Sequence, residues 1–399
     1  MESHIQLVEL ELKNLDWLIK DMNIDSLYDF LKPYLRIFLS IDVVGSTQFK
    51  QNISQIKNIK NEEELNEPWL DAILEFYHQV SSIFFQTWEN YSDKADKNYN
   101  WDSGEKPKLW KAVGDELIFT KKISDHRQAY VCVAALIDTA KNCRKKLQKH
   151  SNNINLKCTA WIAGFPVNNK EVLLNKDFSK NTDVGDYIYE NMNRLKNKDE
   201  NKGENFLEDY IGPSIDTGFR LGAFSSSRKC ILSVDLAYLL SHVSGNLTNV
   251  SPQLKHFTYF YEGKHVLKGV NNGKPYPIFW IDTSDEDNQM IKWEDKLENR
   301  LPIPHSDVKG FCEHFLEQNK DTHIMRPYII TDKHDIFSNI PDHHKKQIEK
   351  LFNYYNKESE RINNERDAAL SVVNNDDAQS VNIETFIAEI LKLAGNQKN

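Results

Sequence analysis

The feature that most constrains the fold is an apolar stretch at 35–44, LRIFLSIDVV, which contains one acid and runs into Gly-Ser-Thr. Its many branched and aromatic residues predict a buried strand that ends in a turn. Asp42 lies inside this stretch, and a bare buried carboxylate is costly. The acid must therefore be paired or bound to a cation, unless it caps the helix that follows.

A second acid, Asp115, follows Gly114 between two β-like runs in KLWKAVGDELIFTKKI, which predicts a β-hairpin. Taken alone, an Asp in such a turn favours a structural role. As a pair with Asp42 it suits Mg²⁺ or Mn²⁺, because these ions take one or two carboxylates and substrate phosphates complete the shell. Two such ions can stabilise the attacking and the leaving oxygens of an in-line displacement.

The rest of the pattern predicts an α+β domain between helical ends. Further strands are predicted at 155–164, in CILSVDL and in YPIFWID, a hairpin within FYEGKHV, a loop at 92–108, and helices at 46–60, 66–91, 125–149, 340–370 and 380–395. Trp161 and Trp280 lie on predicted strands and are expected in the core. We divide the chain into an N-terminal helical segment (1–33), a catalytic domain (34–284) and a charged, mainly helical C-terminal region (285–399).

Composition excludes several classes of protein. The net charge of −9 argues against general nucleic-acid binding. No apolar run approaches the roughly 18–20 residues of a membrane span, and the N-terminus does not read as a secretion signal. Five scattered cysteines predict reduced thiols and a cytoplasmic protein. An acidic protein that binds a polyanionic nucleotide needs cations at its site, and metal ions supply them.

Four segments resemble the motifs of class III nucleotidyl cyclases, in the order found in that family. RIFLSIDVVGSTQFK and KAVGDELIF resemble the two metal motifs, DYIGPSIDTGFRL the base- and transition-state motif, and YEGKHVLKG followed by YPIFWID the closing hairpin. The resemblance covers about 34–284 and implies a ferredoxin-like catalytic domain.

The resemblance also implies roles for individual residues. Asp42 and Asp115 would ligate two divalent ions, Mn²⁺ or Mg²⁺, with the Val43 carbonyl assisting; Ser46 and Thr47 would approach the β- and γ-phosphates, Asp209 would face the base, and Lys268 would reach the γ-phosphate. Arg220 would stabilise charge on the α-phosphate, because a guanidinium fork matches phosphate oxygens. Asp216 stands where the family usually has Asn, and an acid there needs an ion or the ribose as its partner.

Two positions narrow the choice of nucleobase in the substrate. Leu109 stands where adenylate cyclases carry the lysine that recognises adenine, and Trp110 adds bulk beside it. The motif forms IDVVGSTxF and WKxxGDE resemble the bacterial Pycsar pyrimidine cyclases, which implies that UTP or CTP is cyclised to a messenger for an effector protein in anti-phage defence. Asp209 suits uracil N3–H and the cytosine amino group alike. A purine cyclase and an inactive nucleotide-binding homologue are the alternatives.

Oligomeric state follows from the same resemblance. In the family, one protomer supplies the metal ligands and its partner supplies the segment that corresponds here to 209–220. This chain has one copy of each motif. The resemblance therefore implies a head-to-tail homodimer with two equivalent composite sites.

Overall fold

The computed structural model describes residues 24–51, 68–99, 101–151, 154–176, 186–198, 206–247, 250–251, 253–284 and 288–375. Most of the predicted N-terminal helical segment, the 52–60 part of one predicted helix and the predicted helix at 380–395 lie outside these residues. Among the helices of the described ranges, none has the length and apolar character needed to cross a membrane.

The described residues form the following strands and α-helices. The strands are β1 Tyr34–Val44, β2 Lys108–Val113, β3 Glu116–Ile123, β4 Asn155–Phe165, β5 Lys170–Asn175, β6 Phe206–Ile211, β7 Lys229–Leu232, β8 Tyr259–His265 and β9 Tyr276–Asp282. The helices are α1 Ser46–Gln51, α2 Pro68–Tyr99, α3 His126–Leu147, α4 Tyr187–Lys196, α5 Pro213–Leu221, α6 Val234–Ser244, α7 Gln289–Leu297, α8 His305–Gln318, α9 Asp335–Ser338 and α10 Asp342–Asn375.

Seven strands form one mixed sheet in the order β2-β3-β1-β4-β7-β9-β8. Its first four strands pair antiparallel, with α2 between β1 and β2 and α3 between β3 and β4. This is the ferredoxin-like βαββαβ arrangement. β7 extends the sheet in parallel with β4, and the β8–β9 hairpin closes it. The predicted α+β, ferredoxin-like fold is confirmed.

The two faces of the sheet differ because successive side chains of a strand point to opposite sides. Ile37, Leu39 and Ile41 of β1 belong to the core that the sheet shares with α2 and α3. The alternate side chains of β1, among them Ser40 and Asp42, point to the opposite side, which we call the second face. On that face α5 packs against β4.

The chain divides into two compact units. One comprises 33–169 and 211–339 and contains the seven-stranded sheet. The other comprises 1–32, 170–210 and 340–399. In this second unit β5 pairs with β6, and Leu31, Met192 and Tyr355 form a small apolar cluster between the N-terminal turn, α4 and α10. The predicted domain boundary near 285–300 stays a prediction.

Three local predictions were wrong. FYEGKHV is not a hairpin but part of β8, which pairs with β9 along its length. Gly263 has φ +97° at a shift of register, so the glycine supports a bulge where the sequence suggested a turn. The predicted loop at 92–108 is helical as far as Tyr99, the end of α2. CILSVDL is a strand only to Leu232, because Val234 begins α6.

Candidate active site

A row of three charged residues crosses the second face of the sheet. The pairing register places Asp42 of β1 opposite Glu116 of β3 on one side and opposite Lys157 of β4 on the other. The Lys157 ammonium lies 3.0 Å from an Asp42 carboxylate oxygen. Ser40, two residues earlier on the same face, donates a hydrogen bond of 2.5 Å to Glu116. The row is therefore fixed by strand pairing and not by loop conformation.

The predicted hairpin brings Asp115 to the end of β1. Gly114 has φ +64°, which suits the two-residue connection between β2 and β3. The Val43 amide donates to the Asp115 carbonyl at 3.2 Å, and the Ser46 hydroxyl donates to the Asp115 carboxylate. Lys50 lies 3.7 Å from the other carboxylate oxygen. The hairpin turn that carries Asp115 therefore lies against the end of β1, next to Asp42, and their joint binding of metal ions stays a prediction.

The pKa values of Asp42 and Glu116 are both raised. Burial raises the pKa of Asp42; Lys157 opposes that rise, and the charge of Asp115 adds to it. Burial likewise raises the pKa of Glu116, and the charges of Asp42 and Asp115 act in the same direction, against the hydrogen bond from Ser40. The two raised pKa values mean that negative charge accumulates here at a free-energy cost. A bound cation lowers that cost.

The donor set fits divalent cations that prefer oxygen ligands. Asp42, Asp115 and Glu116 offer carboxylate oxygens only, which is the ligand type that Mg²⁺ and Mn²⁺ take in proteins. Lys157 and Lys50 supply two positive charges to this acidic group, one beside Asp42 and one beside Asp115. The residues present therefore fit the metal ions that the sequence predicts, and Glu116 is an additional candidate ligand.

A second group of possible metal ligands, Asp125, His126 and Asp332, fits a metal poorly. Asp332 accepts from the His126 amide at 2.6 Å and from the His334 amide at 2.9 Å, and lies 2.9 Å from His126 Nδ1. Asp125 accepts from the backbone and the side chain of Arg127. Because these ligand atoms already make hydrogen bonds within the protein, the group has a structural role: it holds the start of α3 to the segment before α9.

A cavity of about 220 Å³ opens on the second face next to the charged row. Asp42, Glu116 and Lys157 line it together with Trp161 and Phe219. The rings of Trp161 and Phe219 lie 5.7 Å apart. Helix α5, which carries Phe219, forms the wall opposite the sheet. Acidic and aromatic side chains thus share one pocket.

Arg220 and Asp216 point away from this sheet. Both are exposed, whereas Gly218 between them is buried against β4. Residues two apart on a helix lie about 200° apart around its axis, so Asp216 and Arg220 share the face opposite Gly218. Among the described residues, neither side chain makes a hydrogen bond or an ion pair. The predicted transition-state arginine is therefore available to a group that docks on the outer face of α5.

Other predicted contacts have mixed outcomes. Ser46 is buried and engaged by Asp115, so its predicted approach to phosphate requires that bond to break. Thr47 is exposed at the start of α1. The Trp110 ring lies beside the cavity, with its centroid 5.1 Å from that of Phe38 and 6.2 Å from that of Phe219.

Two predicted substrate contacts lie apart from the carboxylate group in the chain. Lys268 is exposed in the connection between β8 and β9. Asp209 is half-buried in β6 of the second unit, where its carboxylate accepts from the Tyr210 amide at 2.8 Å. The predicted roles of Lys268 and Asp209 stay predictions.

Comparison with known proteins gives structural similarity alone. No protein-family model matches the chain, and no curated protein matches it. Solved structures that resemble it include the adenylyl cyclase CyaB from P. aeruginosa, at 14% identity and TM-score 0.41 over 64% of this chain and 97% of that one. Another is the guanylate cyclase domain of RhGC from Catenaria anguillulae in complex with GTP, at 11% identity and TM-score 0.33 over 64% of this chain and 100% of that one.

A third is an adenylate/guanylate cyclase/hydrolase from Silicibacter pomeroyi, at 10% identity and TM-score 0.33 over 62% of this chain and 96% of that one. Similarities at these identities and TM-scores establish neither a family nor an activity for this chain.

Proposed function

We propose that this protein is a nucleotidyl cyclase of the class III type, which converts a nucleoside triphosphate to its 3′,5′-cyclic monophosphate and pyrophosphate. The observation that carries the proposal is that Asp42 and Glu116 pair across β1 and β3 and have raised pKa values, to which the nearby charge of Asp115 contributes. A carboxylate group of this kind suits divalent cations that in turn hold a triphosphate.

The residues of the chain would bind and orient the substrate. Asp42 and Asp115, with Glu116 beside them, would hold the metal ions, whose chemistry is to neutralise the triphosphate and acidify the ribose 3′-hydroxyl. Ser46 at the start of α1 bonds to Asp115, and the Lys157 ammonium lies 3.0 Å from Asp42, so both would approach the β- and γ-phosphates. Most of the rate gain would come from positioning and electrostatics.

In the reaction, the 3′-oxygen bonds to the α-phosphorus as the bond from that phosphorus to the pyrophosphate oxygen breaks, and the hydroxyl proton is released. Arg220 would stabilise the charge that develops on the α-phosphate. Because Arg220 and Asp216 are exposed on the side of α5 away from their own sheet, docking of a second copy would complete the site. This geometry supports the head-to-tail homodimer with two shared sites.

The base is proposed to be a pyrimidine. Trp161 and Phe219 line the cavity, and the Trp110 ring packs beside Phe219. Leu109 replaces the lysine expected of an adenine site. A narrowed pocket favours a one-ring base over a purine. UTP or CTP would then be the substrate, and the cyclic product would act as a messenger to an effector protein in defence against phage.

Product identification tests the proposal. The protein is incubated with ATP, GTP, CTP or UTP and Mn²⁺, and products are identified by mass spectrometry. We expect cyclic UMP or cyclic CMP from the wild type and from Asp321→Asn, an exposed acid outside the site, and none from Asp42→Asn. Formation of cyclic AMP or cyclic GMP would support the cyclase activity but would overturn the assignment of a pyrimidine substrate. No cyclic product from any of the four, in protein that binds Mn²⁺, would favour an inactive homologue.

A further inference from the structure

Helix α5 lies unusually close to the sheet at one residue, Gly218. A Cβ atom placed on Gly218 would lie 2.2 Å, 2.3 Å and 2.5 Å from three ring carbons of Trp161. Carbon atoms in contact normally stay about 3.5–4.0 Å apart. The backbone of α5 therefore rests directly on the indole, and only glycine fits at this position.

Trp161 cannot move aside to make room. Its indole stacks on the Phe38 ring at 5.4 Å with an interplanar angle of 10°, and it packs beside Phe219. Trp161 and Phe38 are 1% and 0% exposed, in paired positions of β4 and β1. A side chain added at 218 would thus move the helix and not the ring, since closely packed interiors transmit strain.

Helix propensity does not explain this glycine. Glycine in a helix interior costs about 1 kcal/mol relative to alanine. Gly218 lies within the nine-residue helix α5, two residues from Asp216 and two from Arg220. A residue that weakens the very helix carrying the predicted transition-state arginine needs a packing reason, and the indole beneath it supplies one.

We propose that Gly218 and Trp161 form a seat that sets the height of α5 above the sheet, and so positions Arg220 for the reaction. Both are positioning residues, since neither side chain carries the chemistry. The inference rests on the proposed cyclase function, which it deepens by assigning the element that fixes the arginine.

The expected effect follows from the geometry. To relieve a contact of 2.2 Å, α5 must rise by about 1.5 Å at Gly218. A misplacement of about 1 Å in a catalytic constellation can cost roughly 100-fold in rate. Arg220 follows Gly218 by two residues in the same short helix, so it moves with the helix backbone.

The test compares Gly218→Ala with wild type and with Gly310→Ala. Gly310 lies in α8, where an added Cβ meets nothing within 4 Å. For Gly218→Ala we expect kcat to fall about 100-fold, while Mn²⁺ affinity measured by calorimetry stays at the wild-type value, because the carboxylate group is untouched. Gly310→Ala should keep full activity. A folded Gly218→Ala variant with the wild-type kcat would overturn the proposal that Gly218 and Trp161 position Arg220.

A compensating change separates the seat from a general loss of folding. Trp161→Leu removes the ring carbons that meet the added methyl, so in a crystal structure of the double variant Gly218→Ala/Trp161→Leu helix α5 should lie about 1 Å closer to β4 than in Gly218→Ala. A folded double variant in which α5 stays as far from β4 as in Gly218→Ala would overturn the inference.

A crystal structure of Gly218→Ala distinguishes failure of the seat from failure of the proposed function. If the wild type makes no cyclic nucleotide, the proposed function fails, yet α5 should still be displaced from β4 by more than about 1 Å. If α5 is not displaced in Gly218→Ala, the proposal that Gly218 and Trp161 set its position is overturned, whatever the activity of the protein.

Discussion

Asp42 has an acid on one side of it in the sheet and a base on the other. Glu116 and Lys157 are its register partners on β3 and β4, and the Lys157 ammonium lies 3.0 Å from it. In this arrangement Lys157 provides the positive charge that a divalent ion would provide. The residue is therefore expected to matter most for stability when metal is absent.

We predict that Lys157→Met lowers the Tm in EDTA by about 2–4 °C, which corresponds to a pair worth about 1 kcal/mol. Loss of the ammonium leaves Asp42 beside Glu116 and Asp115 with less compensation. Mn²⁺ should then raise the Tm of the variant by more than it raises that of the wild type. Differential scanning calorimetry with and without Mn²⁺ measures both shifts.

Lys333→Met, at an exposed position, is the control and should leave the Tm nearly unchanged. An equal Mn²⁺ shift in Lys157→Met and in wild type would show that Lys157 and the metal do not share Asp42.

Asp42 and Asp115 were predictable as residues because an acid in an apolar run and a Gly-Asp turn are visible in the sequence. Glu116 and Lys157 were missed as members of the site. Their place depends on which residues pair across three strands, and a shift of one residue would turn each side chain to the other face. The sequence carries no direct signal of that register.

At the scale of elements, the start of helix α3 is held by hydrogen bonds to the segment before α9, which is distant in the chain. Asp332, whose side chain is 1% exposed, accepts from the His126 and His334 amides and pairs with the His126 ring. Burial would raise the pKa of Asp332, but the hydrogen bonds and the charge of His126 outweigh it and hold the pKa below its ordinary value. The carboxylate form therefore stabilises the folded state.

We predict that Asp332→Asn lowers the free energy of unfolding by about 2–4 kcal/mol at pH 7, because amides and a ring lose a charged acceptor. A group with a depressed pKa contributes stability above its unfolded pKa, near 3.9, and loses it as pH falls through the folded value. The gap between wild type and Asp332→Asn should therefore narrow below about pH 4. Urea unfolding at pH 7 and at pH 3 measures it.

Asp335→Asn, an exposed change three residues away, should have little effect at either pH. If the difference in free energy of unfolding between wild type and Asp332→Asn is unchanged at pH 3, then packing, and not the ionised carboxylate, holds the segment in place.

Elements were more predictable than their details. The apolar run of β1, the Gly-Asp hairpin and the basic end of α3 have local signals that the fold respects. The bulge of β8 was misread because glycine permits a positive φ in a turn and in a bulge alike, and pairing with β9 decides between them. The seat under α5 depends on contact between Gly218 and Trp161, far apart in the chain, and has no local signal.

At the scale of the whole molecule, the chain carries a net charge of −9 yet is proposed to bind a triphosphate. In the proposed function, metal ions and Arg220 of a second copy would resolve this conflict, because each would bring positive charge to the site. Asp42 lines the cavity on the second face of the sheet, and Arg220 is exposed on the outer face of α5. In the proposed homodimer, each copy would therefore contribute to two different sites.

The central claim is that the carboxylates of one copy and Arg220 of another act on the same nucleotide. Its most direct test is activity of a mixed dimer of Asp42→Ala and Arg220→Ala, co-expressed with different tags and purified through both. Each variant alone should be inactive, whereas the mixed dimer has one intact site and should show about half of wild-type activity per dimer. An intact mixed dimer without activity, or a single variant that is active alone, would contradict the account.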